Sequence, residues 1–164
     1  MPGEGHSAVV DRARVDELFG LLARYVGILR DLREEARTTF VADPRLYGSA
    51  ERFLQLAIET TLSIGHHLIA ARGLEQAGTY AAVFEILGRA GVLDAEFAEE
   101  LVPMARLRNR LVHVYADVEP GRIHETLKEH LDDFDRFAAA VTRYLDDLNE
   151  GADEGQAADS DIGP

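Results

Sequence analysis

The chain of 164 residues contains no cysteine, and this absence sets the first limits on its chemistry. Without a thiol there is no disulfide, no thiolate metal site and no cysteine nucleophile. Long apolar runs are also lacking, since none approaches the ~20 residues that a transmembrane helix needs. Residues 1–9 have no basic and apolar signal-peptide pattern and are expected to be flexible. These absences predict a cytoplasmic protein without a membrane partner.

Positive charge is scarce, because 17 Lys and Arg residues stand against 30 Asp and Glu residues, for a formal net charge of −13. A protein this acidic is not a general binder of polyanions. Residues 101–116 are the exception, since they contain Arg106, Arg108, Arg110 and His113 and no acidic residue. We expect any nucleic-acid site to lie on this basic segment, with an affinity that falls with salt.

Apolar residues recur at helical spacing through most of the chain and predict an all-α fold. The expected architecture is an antiparallel bundle of four or five helices in one domain, residues 10–148. Residues 149–164 are acidic and rich in Gly and Ala, which predicts a disordered tail. Pro103 is expected to kink or restart the fourth helix. The helices are expected at about 10–37, 46–71, 79–90, from Asp94 through the basic segment, and at about 123–148.

Arg108 lies in the middle of the apolar stripe of the fourth predicted helix, where an unpaired charge is costly. Three arrangements lower that cost. Arg108 can pair with an internal acid, for which Glu59 is the candidate. Glu59 belongs to the polar stripe of the second predicted helix, which consists of Arg52, Gln55, Glu59, Ser63 and His66. It can extend to the edge of the stripe. The stripe can also line a cleft, at a dimer interface, that binds an anionic ligand.

His113 follows Asn109 by four residues, so an undistorted helix places both side chains on one face, beside Arg106 and Arg110. Arg108 and His113 are offset by about 140° on such a helix. One helix therefore does not direct both side chains at one atom. A symmetric homodimer would ease this, because it brings two copies of the segment into one cleft.

The segment Arg108-Asn109-Arg110-Leu111-Val112-His113-Val114-Tyr115 resembles the Arg-x4-His-x-Tyr signature of HepT toxins in the HEPN superfamily. The segments 52–59 and 80–87 are similar to the second and third helices of that family, and the resemblance covers roughly residues 10–148. It implies a toxin that cleaves RNA, either tRNA or mRNA, without a metal. In the reaction that the resemblance implies, the ribose 2′-hydroxyl attacks its own phosphate and leaves a cyclic phosphate and a 5′-hydroxyl.

The resemblance also implies roles for the motif residues. His113 is expected to be the general acid and base, because imidazole titrates near neutral pH. Arg108 is expected to stabilise the negative charge of the phosphorane, and Asn109 to orient the phosphate or the imidazole. Arg106 and Arg110 are expected, from their charge, to bind flanking phosphates.

The partner implied by the resemblance is a minimal nucleotidyltransferase antitoxin that transfers AMP to the motif tyrosine, which Tyr115 matches. Added AMP would place bulk and negative charge beside Arg108 and His113 and repel RNA. No cofactor is expected, and the metal-binding patterns Glu-x-x-His and His-Glu-x-x-His are absent. The alternative is a non-catalytic HEPN module that binds a nucleotide, RNA or a protein through the same cleft.

Overall fold

The structure, a computed structural model, describes residues 9–113 and 118–159, with side chains as far as residue 152. This described part forms a bundle of helices without a strand, which confirms the predicted all-α fold. None of its helices is long and apolar enough to cross a bilayer. The helices are α1 (Arg12–Arg33), α2 (Arg37–Ala42), α3 (Pro44–Ala71), α4 (Tyr80–Arg89), α5 (Ala95–Val112) and α6 (Pro120–Asp159).

The first predicted helix is two helices in the structure, so the expectation of one helix over residues 10–37 is wrong. Helix α1 ends at Arg33, and Ala36 then adopts an extended ψ of 138° before α2 begins. The bend brings Phe40 of α2 into the core, where its ring lies 5.1 Å from the ring of His124 on α6. The helical period alone could not reveal this bend, because the apolar spacing continues across it.

Capping residues and glycines mark the ends of α3 and α4, which lie within two residues of the expected ranges 46–71 and 79–90. Asp43 caps α3 by accepting a hydrogen bond from a backbone N–H in its first turn, and Pro44 occupies the first helical position. Thr79 caps α4 in the same way. Gly73 and Gly91 follow the two helices with φ angles of 62° and 76°, a left-handed conformation that favours glycine.

Helix α3 is the central helix of the bundle and packs against α1, α2, α4, α5 and α6. Most of its apolar side chains are buried and form the middle of the core. Gly65 allows α4 to approach closely, since a Cβ built there would lie 2.5 Å from Val83. The position of α3 is important for the candidate site because its narrow polar stripe faces the gap between α4 and α5. The most buried of these core residues are Ala50, Ala57, Ile58, Ile64 and Leu68.

The last two helices differ from the sequence-based expectation at their ends. Helix α5 runs through Pro103 as one helix and stops at Val112. Helix α6 continues past the expected end at Leu148 to Asp159, so residues 149–159 of the expected disordered tail have helical backbone. These residues include Ala, Glu and Gln and no Pro, so a helix already held by packing can propagate through them.

Candidate active site

Arg108 forms an ion pair with Glu59, which confirms one of the three arrangements considered for its charge. The Nη2 atom of Arg108 donates to Oε1 of Glu59 at 3.2 Å, between α5 and the polar stripe of α3. The side chains of Arg108 and Glu59 are 20% and 34% exposed. Gln55, one turn earlier on α3, donates to the same carboxylate oxygen at 3.1 Å. The charge is therefore neutralised where α5 crosses α3.

An aromatic ring lies against the same guanidinium. The Cζ atom of Arg108 lies 4.5 Å from the ring centroid of Tyr80, the first residue of α4. His66, on the polar stripe of α3, meets the Tyr80 ring edge-on, with centroids 6.5 Å apart. We refer to Gln55, Glu59, His66, Tyr80 and Arg108 as the Arg108 cluster. The sequence pattern did not single out Tyr80, because no local signal shows that the start of α4 faces α5.

Two nitrogen atoms of the Arg108 guanidinium lack a well-placed hydrogen-bond acceptor. Its Nε atom is buried without a hydrogen-bond partner among the described residues. Its Nη1 atom has only a contact of 3.5 Å with Oδ1 of Asn109, at the outer limit for a hydrogen bond. A buried donor without an acceptor carries a cost of about 1–3 kcal/mol. An anion that reaches the cluster would supply the missing acceptors.

His113 is the C-terminal cap of α5 and does not belong to the helix itself. Its ψ of 111° is extended, so the chain leaves the helical path at this residue. The expectation of a helix continuing through the whole motif is therefore wrong at this point. The segment 112–115 consists of β-branched and aromatic residues, which have weak helix propensity. Tyr115 lies outside the described residues.

The exposed side of α5 is positively charged near its C-terminal end. Arg106, Asn109, Arg110 and His113 are all exposed there. Neither Arg106 nor Arg110 has an ion-pair partner within the part of the chain that the structure describes. The four side chains therefore present free donors to solvent, as expected for a surface that meets phosphates.

The two principal candidate residues are not joined by a hydrogen bond within one chain. Arg108 points toward α3 and α4, whereas the exposed His113 caps the end of α5, and no hydrogen bond joins them. Neither is sealed in the core, so both remain accessible to a ligand or a second chain. Across the described ranges, no three His, Asp or Glu side chains gather as a metal site would require.

Known proteins with related sequences or folds place this geometry in context. A tRNA nuclease HepT from Aphanizomenon flos-aquae is 26% identical over 133 residues, covering 81% of this chain and 90% of that protein. YutE, a cytosolic protein of unknown function from Bacillus subtilis, superposes with a TM-score of 0.74 at 20% identity, over 86% of this chain and 94% of its own.

A tri-AMPylated HEPN toxin of Shewanella oneidensis, solved in complex with an MNT antitoxin, superposes with a TM-score of 0.73. Its sequence is 20% identical, and the match covers 79% of this chain and 96% of that one. The family described as ribonuclease HepT-like matches residues 22–141, which include the Arg108 cluster and His113. The chain therefore belongs to the ribonuclease HepT-like family.

Proposed function

We propose that this protein is a metal-independent endoribonuclease and the toxin of a toxin–antitoxin pair. The observation that carries the proposal is the partly buried Arg108, with donors left open, on the same helix that ends at an exposed His113. Membership of the ribonuclease HepT-like family supports RNA as the substrate. The name of the relative from Aphanizomenon flos-aquae, tRNA nuclease HepT, favours tRNA over mRNA.

The proposed reaction begins when His113 accepts the proton of a ribose 2′-hydroxyl. The 2′-oxygen attacks the adjacent phosphorus, and negative charge builds up on the phosphorane oxygens. Arg108 donates hydrogen bonds to these oxygens, and Asn109 orients the phosphate. The bond between phosphorus and the 5′-oxygen then breaks, and the imidazolium returns a proton to that oxygen. The products are a 2′,3′-cyclic phosphate and a 5′-hydroxyl.

Glu59 and Tyr80 are positioning residues in this scheme. Glu59 holds one end of the guanidinium through Nη2, and the Tyr80 ring supports its face. A guanidinium fixed in this way loses less conformational freedom when it meets a phosphate, so more of its interaction energy reaches the transition state.

We place the complete site at the interface of a homodimer. The support is geometric, because within one chain Arg108 faces α3 and α4 whereas His113 caps the exposed end of α5. Two-fold symmetry would bring two copies of α5 to one cleft, so that Arg108 of one subunit and His113 of the other can reach the same phosphate.

The proposed regulator is a minimal nucleotidyltransferase that adds AMP to Tyr115. Support comes from the Shewanella oneidensis HEPN toxin, which is tri-AMPylated and bound to an MNT antitoxin. Tyr115 follows His113 by two residues, so an added phosphate would lie close to the proposed base and repel RNA. Intact-mass spectrometry after incubation with the transferase and ATP tests this step. An AMP mass gain that is lost in Tyr115→Phe is expected, and an unchanged gain in that variant would contradict it.

The ribonuclease is tested by incubating purified protein with total tRNA in excess EDTA and analysing the ends of the fragments. Cyclic-phosphate ends from the wild type and from Arg24→Ala, but not from His113→Ala, are the expected result. Arg24 is a suitable control because it is an exposed arginine on α1, remote in sequence from the site. RNA that binds but stays uncut would show instead a non-catalytic binding module.

A further inference from the structure

A cleft of about 300 Å³ opens between α5 and α6, on the side of α5 away from the Arg108 cluster. Its volume lies at the lower end of the range found for small-molecule sites. Apolar side chains of α3, α5 and α6 form the floor, and charged side chains stand at the rim. The floor residues include Leu54, Ile58, Met104, Leu107, Ile123 and Phe134.

The rim of this cleft carries two acids and two arginines that do not pair with each other. It also contains His130, whose Nδ1 atom lies 3.1 Å from Oδ2 of Asp133. The two acids, Glu100 and Asp133, are both bound by Arg136, at 2.8 and 3.2 Å. The two arginines of the lining, Arg110 and Arg122, are exposed and have no ion-pair partner among the described residues. The site therefore combines a pair of unpaired guanidinium groups with an apolar floor.

A nucleotide unit has the chemistry that complements both features. A nucleobase is flat and buries apolar surface, and its phosphate accepts hydrogen bonds from guanidinium groups. A bare anion would make no apolar contact with the floor of the cleft, and an uncharged aromatic ligand would leave Arg110 and Arg122 unpaired.

One residue of the rim, Arg110, is close in sequence to the proposed catalytic residue. Arg110 precedes His113 by three residues, which is about 4.5 Å along a helix axis. We propose that the cleft binds one nucleotide of the RNA substrate next to the cleaved phosphate, with its base on the apolar floor and its phosphate on Arg110 and Arg122. The assignment of this nucleotide to the RNA substrate rests on the proposed ribonuclease function. The expectation that the cleft binds a nucleotide does not depend on that function.

The binding test uses 5′-AMP as the probe and isothermal titration calorimetry as the measurement. The double variant Arg110→Ala/Arg122→Ala is expected to bind 5′-AMP at least about tenfold more weakly, because it loses two charge-assisted contacts. The control Arg24→Ala/Arg143→Ala removes the same charge at exposed positions of α1 and α6. Unfolding curves check that both variants fold, and Arg110→Lys/Arg122→Lys should recover part of the affinity.

Three results would overturn the cleft site: no binding of 5′-AMP, equal binding by both double variants, or equal affinity for decanoate, an apolar anion without a base.

The kinetics of RNA cleavage distinguish a failure of the cleft site from a failure of the proposed ribonuclease. A raised KM for RNA in Arg110→Ala/Arg122→Ala, with kcat nearly unchanged, supports the substrate assignment. An unchanged KM sinks that assignment and leaves the ribonuclease standing. Binding of 5′-AMP by a protein that never cuts RNA would sink the ribonuclease and leave the cleft site.

Discussion

At the scale of single residues, Arg108 occupies a position that is costly for a charged side chain. Its charge is neutralised by Glu59 and its face is covered by Tyr80, yet its Nε atom has no acceptor among the described residues. A purely structural arginine in such a position is expected to have its donors satisfied. The unmet donors are therefore the feature that points to an anionic ligand.

The Glu59→Gln variant tests the ion pair. Glutamine keeps the acceptor oxygen but removes the negative charge, so the partly buried guanidinium loses its counter-ion. We expect the free energy of unfolding to fall by about 1 kcal/mol, between the values for exposed and buried pairs. We also expect kcat for RNA to fall with little change in KM. Urea unfolding and steady-state kinetics measure the two effects, with the exposed Glu85→Gln as control. Equal behaviour of both variants would contradict the role of Glu59.

The ring of Tyr80 is tested by a pair of substitutions. Tyr80→Phe keeps the ring under the guanidinium and should leave stability and kcat close to wild type. Tyr80→Leu removes the cation–π contact, which contributes about 0.5–1 kcal/mol, and should lower kcat through a less ordered Arg108. The same assays apply. If Phe proved as damaging as Leu, the hydroxyl rather than the ring would be the important group.

The residues of this site were predictable to different degrees. The partner Glu59 could be predicted because the polar stripe of α3 and the lone charge on the apolar stripe of α5 are both visible in the sequence. Tyr80 could not, because its contact depends on how α4 and α5 are packed together. Arg122 and the cleft were also not predicted, since the position of α6 relative to α5 is not encoded in the period of either helix.

At the scale of elements, the close contact of α3 with α4 positions the polar stripe beside Tyr80. Gly65→Ala should lower the free energy of unfolding by about 1–3 kcal/mol, because the new Cβ would meet Val83 and Leu87 of α4. Gly48→Ala on the same helix has no atom within 4 Å of the new Cβ. It should raise the free energy by about 0.5–1 kcal/mol through helix propensity. Chemical denaturation measures both, and a stabilising Gly65→Ala would refute the close contact.

The start of α3 gives a prediction about pH. The hydrogen bond from the Arg45 side chain, then that from the Arg45 backbone N–H, lowers the pKa of Asp43 below its ordinary value of 3.8. The charged carboxylate therefore stabilises the fold above pH 3.8, and this contribution is lost as pH falls through the lowered pKa. Asp43→Asn should be less stable than wild type at pH 7, and the difference should shrink below pH 3.8. Urea titrations at several pH values measure it, and a constant difference would contradict the assignment.

The ends of helices were predicted well only where a local signal marks them. Asp43-Pro44, Gly73, Thr79 and Gly91 flank α3 and α4, and the expected ranges of 46–71 and 79–90 agree with these helices to within two residues. The break between α1 and α2 depends on burial of Phe40 against α6, which is a tertiary effect. The end of α5 before His113 and the extension of α6 to Asp159 also lack a proline or glycine that marks them.

At the scale of the whole molecule, a net charge of −13 must be reconciled with the proposed binding to RNA. The exposed end of α5 and the rim of the cleft between α5 and α6 concentrate arginines that have no acidic partner among the described residues. RNA would then be held at one local surface and repelled elsewhere. This arrangement favours one orientation of the substrate over general adhesion to nucleic acid.

The central claim is that His113 carries out proton transfer at a phosphate held by Arg108. The most direct measurement is the single-turnover rate of tRNA cleavage in excess EDTA for the wild type, His113→Ala and Lys128→Ala. The last removes an exposed basic side chain of α6 outside the site. General acid–base catalysis contributes about 10²–10⁴-fold, so His113→Ala should be slower by that factor while Lys128→Ala keeps the wild-type rate. A His113→Ala protein that cleaves as fast as the wild type would contradict the account.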